Sequence, residues 1–316
     1  MKERNKGIAN CDESFKMLKI MEKVGNSLLP NERHNEIKEL PVEIQENDEY
    51  LIRFYLLQSI LDQQARIPSA LNAAKYIFTT FKEKLFDNPL YVIKNFSKLI
   101  PVDKQRIYDI SPAIGRVIPR FGWVVLRVGG FLMYEYQIKE HNIQLSEKFK
   151  ELNSPLEAID YLNDSAIIRS ILREKAMNMY ISNIGHPKLG INVSKGKWKK
   201  EDFPMLVDGH VGRVFCRTGI LEDVYFEART GSRAWIIQAS QMRKPINNLV
   251  LSNKEIDGCM VDYGAFGIGY NCCPDDGSKA CCIKCKKLTC EIREVTKSDK
   301  CVLSEFCKKN MKWRAY

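Results

Sequence analysis

The sequence lacks any long apolar run. Its first sixteen residues, MKERNKGIANCDESFK, contain no hydrophobic segment, so they do not read as a secretory signal. The most apolar window, Phe121–Met133, is too short to span a bilayer and carries Arg127. It reads as a buried helix. The sequence also lacks an internal repeat, which excludes a solenoid or array, and no convincing strand alternation points to a sheet. A cytoplasmic chain is expected, nucleoid-associated if prokaryotic, with no membrane partner. Without a secretory leader a disulfide framework is not expected either.

Cysteine, by contrast, is plentiful. Of 11 cysteines, Cys11, Cys216 and Cys259 are scattered, and the other eight crowd between Cys272 and Cys307. A local thiolate cluster in an intracellular chain reads as a metal site. The chain of 316 residues is 45% hydrophobic and 28% charged, as expected of a folded protein, and is long enough for one large domain or two. Its formal net charge of +10 favours polyanionic partners, nucleic acid or an anionic membrane surface.

Helical periodicity runs through most of the chain. Residues 1–50 are polar, with a helical stretch near Phe15–Val24, and residues 31–49 are charge-rich and read as a linker or a surface helix pair. Leu51, Phe54, Tyr55, Leu57, Ile60 and Leu61 form an apolar stripe at spacings of three and four. That helix ends at Asp62-Gln-Gln-Ala-Arg-Ile-Pro68, and Pro68 opens a second helix to Phe81. Short helices broken by Pro89, Pro101 and Pro112 follow. Ser154-Pro-Leu-Glu157 is a capping box with proline at the first helical position. Asp164 or Ser165 can cap the next helix, which is expected to run to about Ile184 and contains Lys175. Helices near 220–241 and 254–266 precede the cysteine-rich tail. The fold class is all-α.

Two segments bear on chemistry. Lys195-Gly-Lys-Trp-Lys-Lys200 is either a solvated charged loop or a phosphate-contacting patch with Trp198 as a stacking surface. In Met205-Leu-Val-Asp-Gly-His-Val-Gly-Arg-Val214 an apolar run ends on Asp208. That residue suits a helix N-cap, its carboxylate accepting the free N–H groups of the next turn. The alternative is a carboxylate facing a substrate. Arg213 and Arg217, one turn apart, are either a phosphate-facing pair or a solvated one.

Leu61-Asp-Gln-Gln64, the lysine in Arg173-Glu-Lys-Ala176, and Val207-Asp-Gly-His-Val-Gly-Arg-Val214 occur in that order. Together they resemble the helix-hairpin-helix (HhH-GPD) DNA glycosylase superfamily, whose endonuclease III branch carries a C-terminal iron–sulfur loop. The arrangement around Lys175 and Asp208 looks most like the archaeal 8-oxoguanine glycosylase group. The resemblance covers roughly residues 50–310. The family's acid motif, Val-Asp-Thr-His, has Gly209 here in place of threonine. Its hairpin, Leu-Pro-Gly-Val-Gly, is matched by Arg169-Ser-Ile-Leu-Arg-Glu174, which has no glycine to let backbone amides approach a phosphate.

The resemblance implies two helical subdomains with the active-site cleft between them. Residues 51–200 would form the domain with a degenerate hairpin. Residues 201–316 would hold the acid and the metal loop, with an N-terminal extension, 1–50, packing against this C-terminal part. It implies a monomer acting on double-stranded DNA with a damaged, oxidised base flipped out. Asp208 would stabilise positive charge on the sugar, and Lys175 would attack C1′ and permit strand cleavage. Gln64, with Gln63 beside it, would fill the gap left by the base. Arg169, Arg173, His210 and Arg213 are candidate DNA contacts, with His210 also read as a hydrogen-bond partner near the acid.

The tail holds a Cys-x2-Cys at Cys282 and Cys285 and a Cys-x5-Cys at Cys301 and Cys307. The family context implies a [4Fe–4S] cluster on thiolates drawn from Cys272 or Cys273, Cys282, Cys285, and then Cys290, Cys301 or Cys307. Structural zinc is the alternative. A non-catalytic nucleic-acid-binding protein, or a monofunctional glycosylase using Asp208 alone, are the rival readings.

Overall fold

The computed structural model describes residues 11–29, 37–63, 67–95, 121–189, 191–221, 232–273 and 290–307. Among these the architecture is all-α, with no β-strand. In chain order the helices are α1 (Cys11–Leu28), α2 (Val42–Gln45), α3 (Asp48–Asp62), α4 (Ile67–Phe81), α5 (Lys84–Asp87), α6 (Pro89–Lys94) and α7 (Phe121–Glu140). Then come α8 (Leu145–Glu151), α9 (Pro155–Asp164), α10 (Ala166–Ile171), α11 (Glu174–Gly185) and a 3-10 turn at Lys200–Asp202. The last four are α12 (Gly209–Arg217), α13 (Ser232–Ser252), α14 (Gly258–Asn271) and α15 (Glu291–Thr296). No described helix is long and apolar enough to cross a membrane. The described residues divide into two compact units. One joins α1 to the residues from Lys200 onward. The other comprises α2 through Lys199.

In the second unit α3 is the axis. Asn47 caps it, its side-chain oxygen accepting the N–H groups of Glu49 and Tyr50. Every residue from Leu51 to Leu61 is buried, polar ones included. The sequence stripe implies a helix with one apolar face. Instead α2, α4, α7, α8 and α11 all pack against α3 and leave it no solvent face. Phe54, Phe78, Phe86, Phe131, Phe149 and Tyr180 fill the surrounding core.

Burying Arg53 requires partners for its charge. Its Nε donates to Glu49 Oε1 at 2.8 Å, and its Nη1 lies 3.3 Å from Glu135 Oε2. The Glu49 carboxylate also accepts the N–H groups of Leu145 and Ser146, amides at the start of α8 that lack helical partners. Glu135 is fully buried. Its pKa is pushed up to about 8, chiefly by desolvation, with Arg53 opposing and Glu49 and Asp87 adding to the rise.

Three expectations are corrected here. Helix α7 is not buried all round: Leu126 is 73% exposed and Met133 is exposed, while Val128, Phe131 and Leu132 are buried. An all-apolar helix is covered only where neighbours exist, and α7 meets α3, α6 and α10 on part of its circumference. The helix expected from Ser165 to Ile184 is interrupted. Ser165 does cap its start, but Leu172 and Arg173 are extended and separate α10 from α11. Third, Trp198 is no stacking surface. It is fully buried, its indole N–H donates to the Leu152 carbonyl at 2.9 Å, and its ring packs on Phe149. Lys197 donates to the carbonyls of Lys150 and Glu151, which folds this basic loop onto the end of α8. The capping box at α9 forms, with the Glu157 carboxylate returning its bond to the Asn153 N–H rather than to that of Ser154.

In the first unit α1 crosses α14 at two glycines. A Cβ on Gly264 would lie 1.9 Å from the Met21 carbonyl oxygen, and one on Gly25 would lie 1.8 Å from that of Met260. Around this crossing Met17, Leu18 and Val24 share a core with Val214, Phe215, Val261, Ile268, Ile292 and Leu303. Helices α13 and α14 lie further along the chain than the sequence suggests. Asp257 sets the second start by accepting the Met260 N–H.

Candidate functional site

Asp208 is held from both sides. Before it Phe203, Met205 and Val207 are fully buried. Helix α13 pins this segment: Asn247 Oδ1 accepts the Met205 N–H at 2.7 Å, and Arg243 Nε donates to the Val207 carbonyl at 3.3 Å. After it α12 begins, and Asp208 Oδ1 accepts the N–H groups of His210 at 2.8 Å and Val211 at 3.0 Å. The residue is a helix cap, and it is only partly buried. Capping and chemistry do not compete, because the cap gives the carboxylate a fixed orientation.

His210 carries the site onto α14. Its ring meets Phe266 and Tyr270 edge-on, with centroids 5.3 and 5.7 Å away. Those two rings are parallel within 7° and are 41% and 61% exposed. Gly269 permits the close approach, since a Cβ there would lie 2.6 Å from the His210 carbonyl oxygen. Arg213 Nη2 sits 2.6 Å from His210 Nδ1. A guanidinium only donates, so Nδ1 accepts and the ring proton resides on Nε2. The helix that Asp208 caps thus carries His210 onto an exposed aromatic pair. Nothing in the sequence reading singled out Phe266 and Tyr270, although a pair of aromatics one helical turn apart was the available signal.

The arginines of α12 depart from expectation. Arg213 and Arg217 are 2% and 5% exposed, so neither is presented to a phosphate or to solvent. Arg213 also donates to the Gly269 carbonyl, and burial lowers its pKa. Arg217 Nη1 donates to Cys273 Sγ at 3.0 Å. Both lie on the face that α12 turns toward α14 and the cysteine tail.

Cys272, Cys273, Cys290 and Cys301 are buried, and Cys307 is half-buried. Burial raises the Cys273 pKa; the adjacent Arg217 lowers it, and the neighbouring Cys301 adds to the rise. Cys282 and Cys285 lie outside the described residues, as does Gln64.

Lys175 belongs to the other unit. It is the second residue of α11 and is partly buried. Arg173, on the turn just before it, and Arg169, in α10, are exposed. Gln63, at the end of α3, reaches this turn. Its Nε2 donates to the Ile171 carbonyl at 2.5 Å, and its Oε1 accepts the Arg173 N–H at 3.0 Å. Gln63 is therefore a clamp on the helix–turn–helix. Two stretches more than a hundred residues apart in sequence, Leu61–Gln64 and Arg169–Lys175, are joined by these bonds.

The chain matches no protein-family model, no curated protein and no solved structure.

Proposed function

We propose that the protein is a DNA glycosylase of the helix-hairpin-helix type that excises a damaged base and cleaves the strand through a lysine Schiff base. The observation that carries this reading is the Gln63 clamp, which bonds one motif of the resemblance to the hairpin that immediately precedes Lys175. A lysine in the first turn of the second hairpin helix, and an acid capping a later helix, are the two groups the chemistry needs.

Base loss builds positive charge on the sugar, and a carboxylate held in a fixed orientation stabilises it. Asp208 takes that role. Lys175 Nζ, once it has given up a proton, attacks C1′ as the bond to the base breaks; a further proton loss and opening of the C1′–O4′ bond give the iminium, which permits β-elimination of the 3′ phosphate. The exposed Phe266–Tyr270 pair, packed on His210 two residues after Asp208, suits a planar ring. The net charge of +10, with exposed Arg169 and Arg173, suits duplex DNA. Gln64 keeps its assignment as the residue that fills the vacated stack. Arg213, being buried, drops out of the DNA contacts.

For the cofactor, buried reduced thiols with a guanidinium on one sulfur are a donor set that fits either a [4Fe–4S] cluster or zinc. Cys273 and Cys301 are the described residues that would hold it, joined by Cys282 and Cys285. Its contribution in either case would be to the stability of the tail.

A second reading, a nucleic-acid-binding protein without catalysis, is favoured by one feature. The hairpin turn has no glycine, and its Arg173 amide is already engaged by Gln63. Incubation with duplexes that each carry one modified base, in the presence of borohydride, decides among the readings. Excision with a covalent adduct that Lys175→Ala abolishes supports the proposal. Excision without an adduct leaves a monofunctional enzyme, and binding alone leaves the second reading.

A further inference from the structure

We propose that Arg243 and Asn247, on consecutive turns of α13, are positioning residues for the reaction at Asp208: they hold the chain immediately before the acid and so set where its carboxylate stands. The inference rests on the glycosylase reading and adds to it two side chains that act through Asp208 rather than on the substrate.

The segment before Asp208 belongs to no helix or strand, yet Met205 and Val207 are fully buried. Their backbone groups therefore need partners from outside the segment. Asn247 serves one residue twice. Its Oδ1 accepts the Met205 N–H at 2.7 Å, and its Nδ2 donates to the Met205 carbonyl at 3.5 Å. One amide side chain thus does for Met205 what a paired residue does in an antiparallel ladder. Arg243, one helical turn earlier on the same face, donates from Nε to the Val207 carbonyl at 3.3 Å. Val207 is the residue next to the acid.

The same stretch of α13 meets the helix that Asp208 caps. A Cβ on Gly212 would lie 2.3 Å from Met242 Cε, and Cys216 Sγ lies 4.0 Å from Met242 Sδ. Met242, Arg243 and Asn247 therefore grip the chain on both sides of Asp208. The start of α14 closes on the segment as well, since a Cβ on Gly258 would fall 2.6 Å from the Phe203 carbonyl oxygen.

The cap bonds, at 2.8 and 3.0 Å, fix how the carboxylate is turned relative to α12. They do not fix where the first turn of α12 stands, because acid and amides would move together. The bonds from α13 supply that constraint. A misplacement of about 1 Å can cost about 10²-fold in rate, whereas a single hydrogen bond adds only modestly to folding. Rate, not stability, is the sensitive readout.

The test uses the full chain and a duplex carrying one modified base, with excision followed in a single turnover at excess protein. Duplex affinity by anisotropy and melting curves accompany it. Asn247 is uncharged, so Asn247→Ala leaves the charge that draws DNA unaltered and carries the test. It should slow excision by about tenfold to 10²-fold, with duplex affinity unchanged and the melting temperature only slightly lower. Asn247→Asp keeps an acceptor for the Met205 N–H and should recover most of the rate. Arg243→Met should slow excision in the same way, and Arg243→Lys, which restores a donor, should recover part of the loss; this pair decides if Asn247→Ala does not fold. In the Asp208→Asn background Asn247→Ala should slow excision no further, while lowering the melting temperature as before, because the side chain acts through the carboxylate. Losses that multiply, or wild-type rates in both Asn247→Ala and Arg243→Met, overturn the inference and leave the glycosylase reading standing. A wild type that excises no base from any such duplex defeats that reading and the inference with it.

Discussion

Arg217 donates to the sulfur of Cys273 at 3.0 Å inside the core of the first unit. The two residues sit 56 positions apart, so α12 and the cysteine tail are tied by one charge-bearing contact. A guanidinium favours the thiolate, while burial favours the neutral thiol, and burial prevails at Cys273. A metal ligand must be a thiolate, so Arg217 helps in the same direction as the metal. Purified protein should contain iron with broad visible absorbance, and Arg217→Leu should lower iron per chain and speed its loss to a chelator. Zinc in place of iron would correct the cofactor. Unchanged metal retention in Arg217→Leu would remove Arg217 from that role.

Asp208→Asn separates the two uses of the carboxylate. Asparagine caps a helix about as well as aspartate, so thermal stability should be retained. Excision should fall by about 10²–10³-fold, the scale lost when one group that stabilises transition-state charge is removed. Asp208→Ala should lose the activity and in addition about 1 kcal/mol of stability. An asparagine variant as active as wild type would mean that Asp208 is a cap and nothing more.

Glu135 gives stability a pH dependence of definite sign. One guanidinium, Arg53, lies between two carboxylates, and Glu49 already satisfies it at 2.8 Å. Glu135, raised to about 8 by burial, is therefore protonated in the folded state at neutral pH and ionised in the unfolded chain. The folded state binds the extra proton between the usual carboxylate range and about 8. Its contribution to stability is full below that window, falls as pH rises through it, and is flat above. Glu135→Gln cannot ionise. The stability difference between variant and wild type, from denaturant unfolding at pH 5 to 9, should shift in the variant's favour as pH rises. A difference independent of pH would show that Glu135 does not titrate in this window.

The crossing of α1 and α14 tolerates no side chain at Gly25 or Gly264. Added Cβ atoms would meet backbone oxygens at 1.8 and 1.9 Å, and backbone cannot rotate away as a side chain can. Gly264→Ala should destabilise the first unit by about 1–3 kcal/mol, the usual scale of overpacking, and Gly264→Val by more. Melting curves of both variants check this. Gly129→Ala is the control: a Cβ there meets nothing within 4 Å, and an alanine in a helix interior should be neutral or slightly stabilising.

Features set by near neighbours in the chain were legible as residues. Ser154, Ser165 and Asp208 cap helices because their side-chain oxygens reach amides two or three positions on, a geometry that hardly depends on the rest of the molecule. The all-α class followed from spacing in the same way. Features set by distant segments were not legible. The Gln63 clamp spans 108 and 110 positions, the Trp198 indole bonds a carbonyl 46 positions away, and Arg217 finds its sulfur 56 positions on. A glutamine at a helix end, a tryptophan among lysines and two arginines on a helix all look solvent-facing by composition. Which of them is buried depends on what packs against that face. Burial of a polar group is favourable only when its partners arrive from elsewhere in the fold, so no local pattern announces it. Lys175 and Asp208 stand on both sides of this division. Asp208 was placed at a helix start by short-range chemistry, whereas Lys175 was expected inside one continuous helix, and the break that puts it in the first turn of α11 is held by Gln63 from a distant segment.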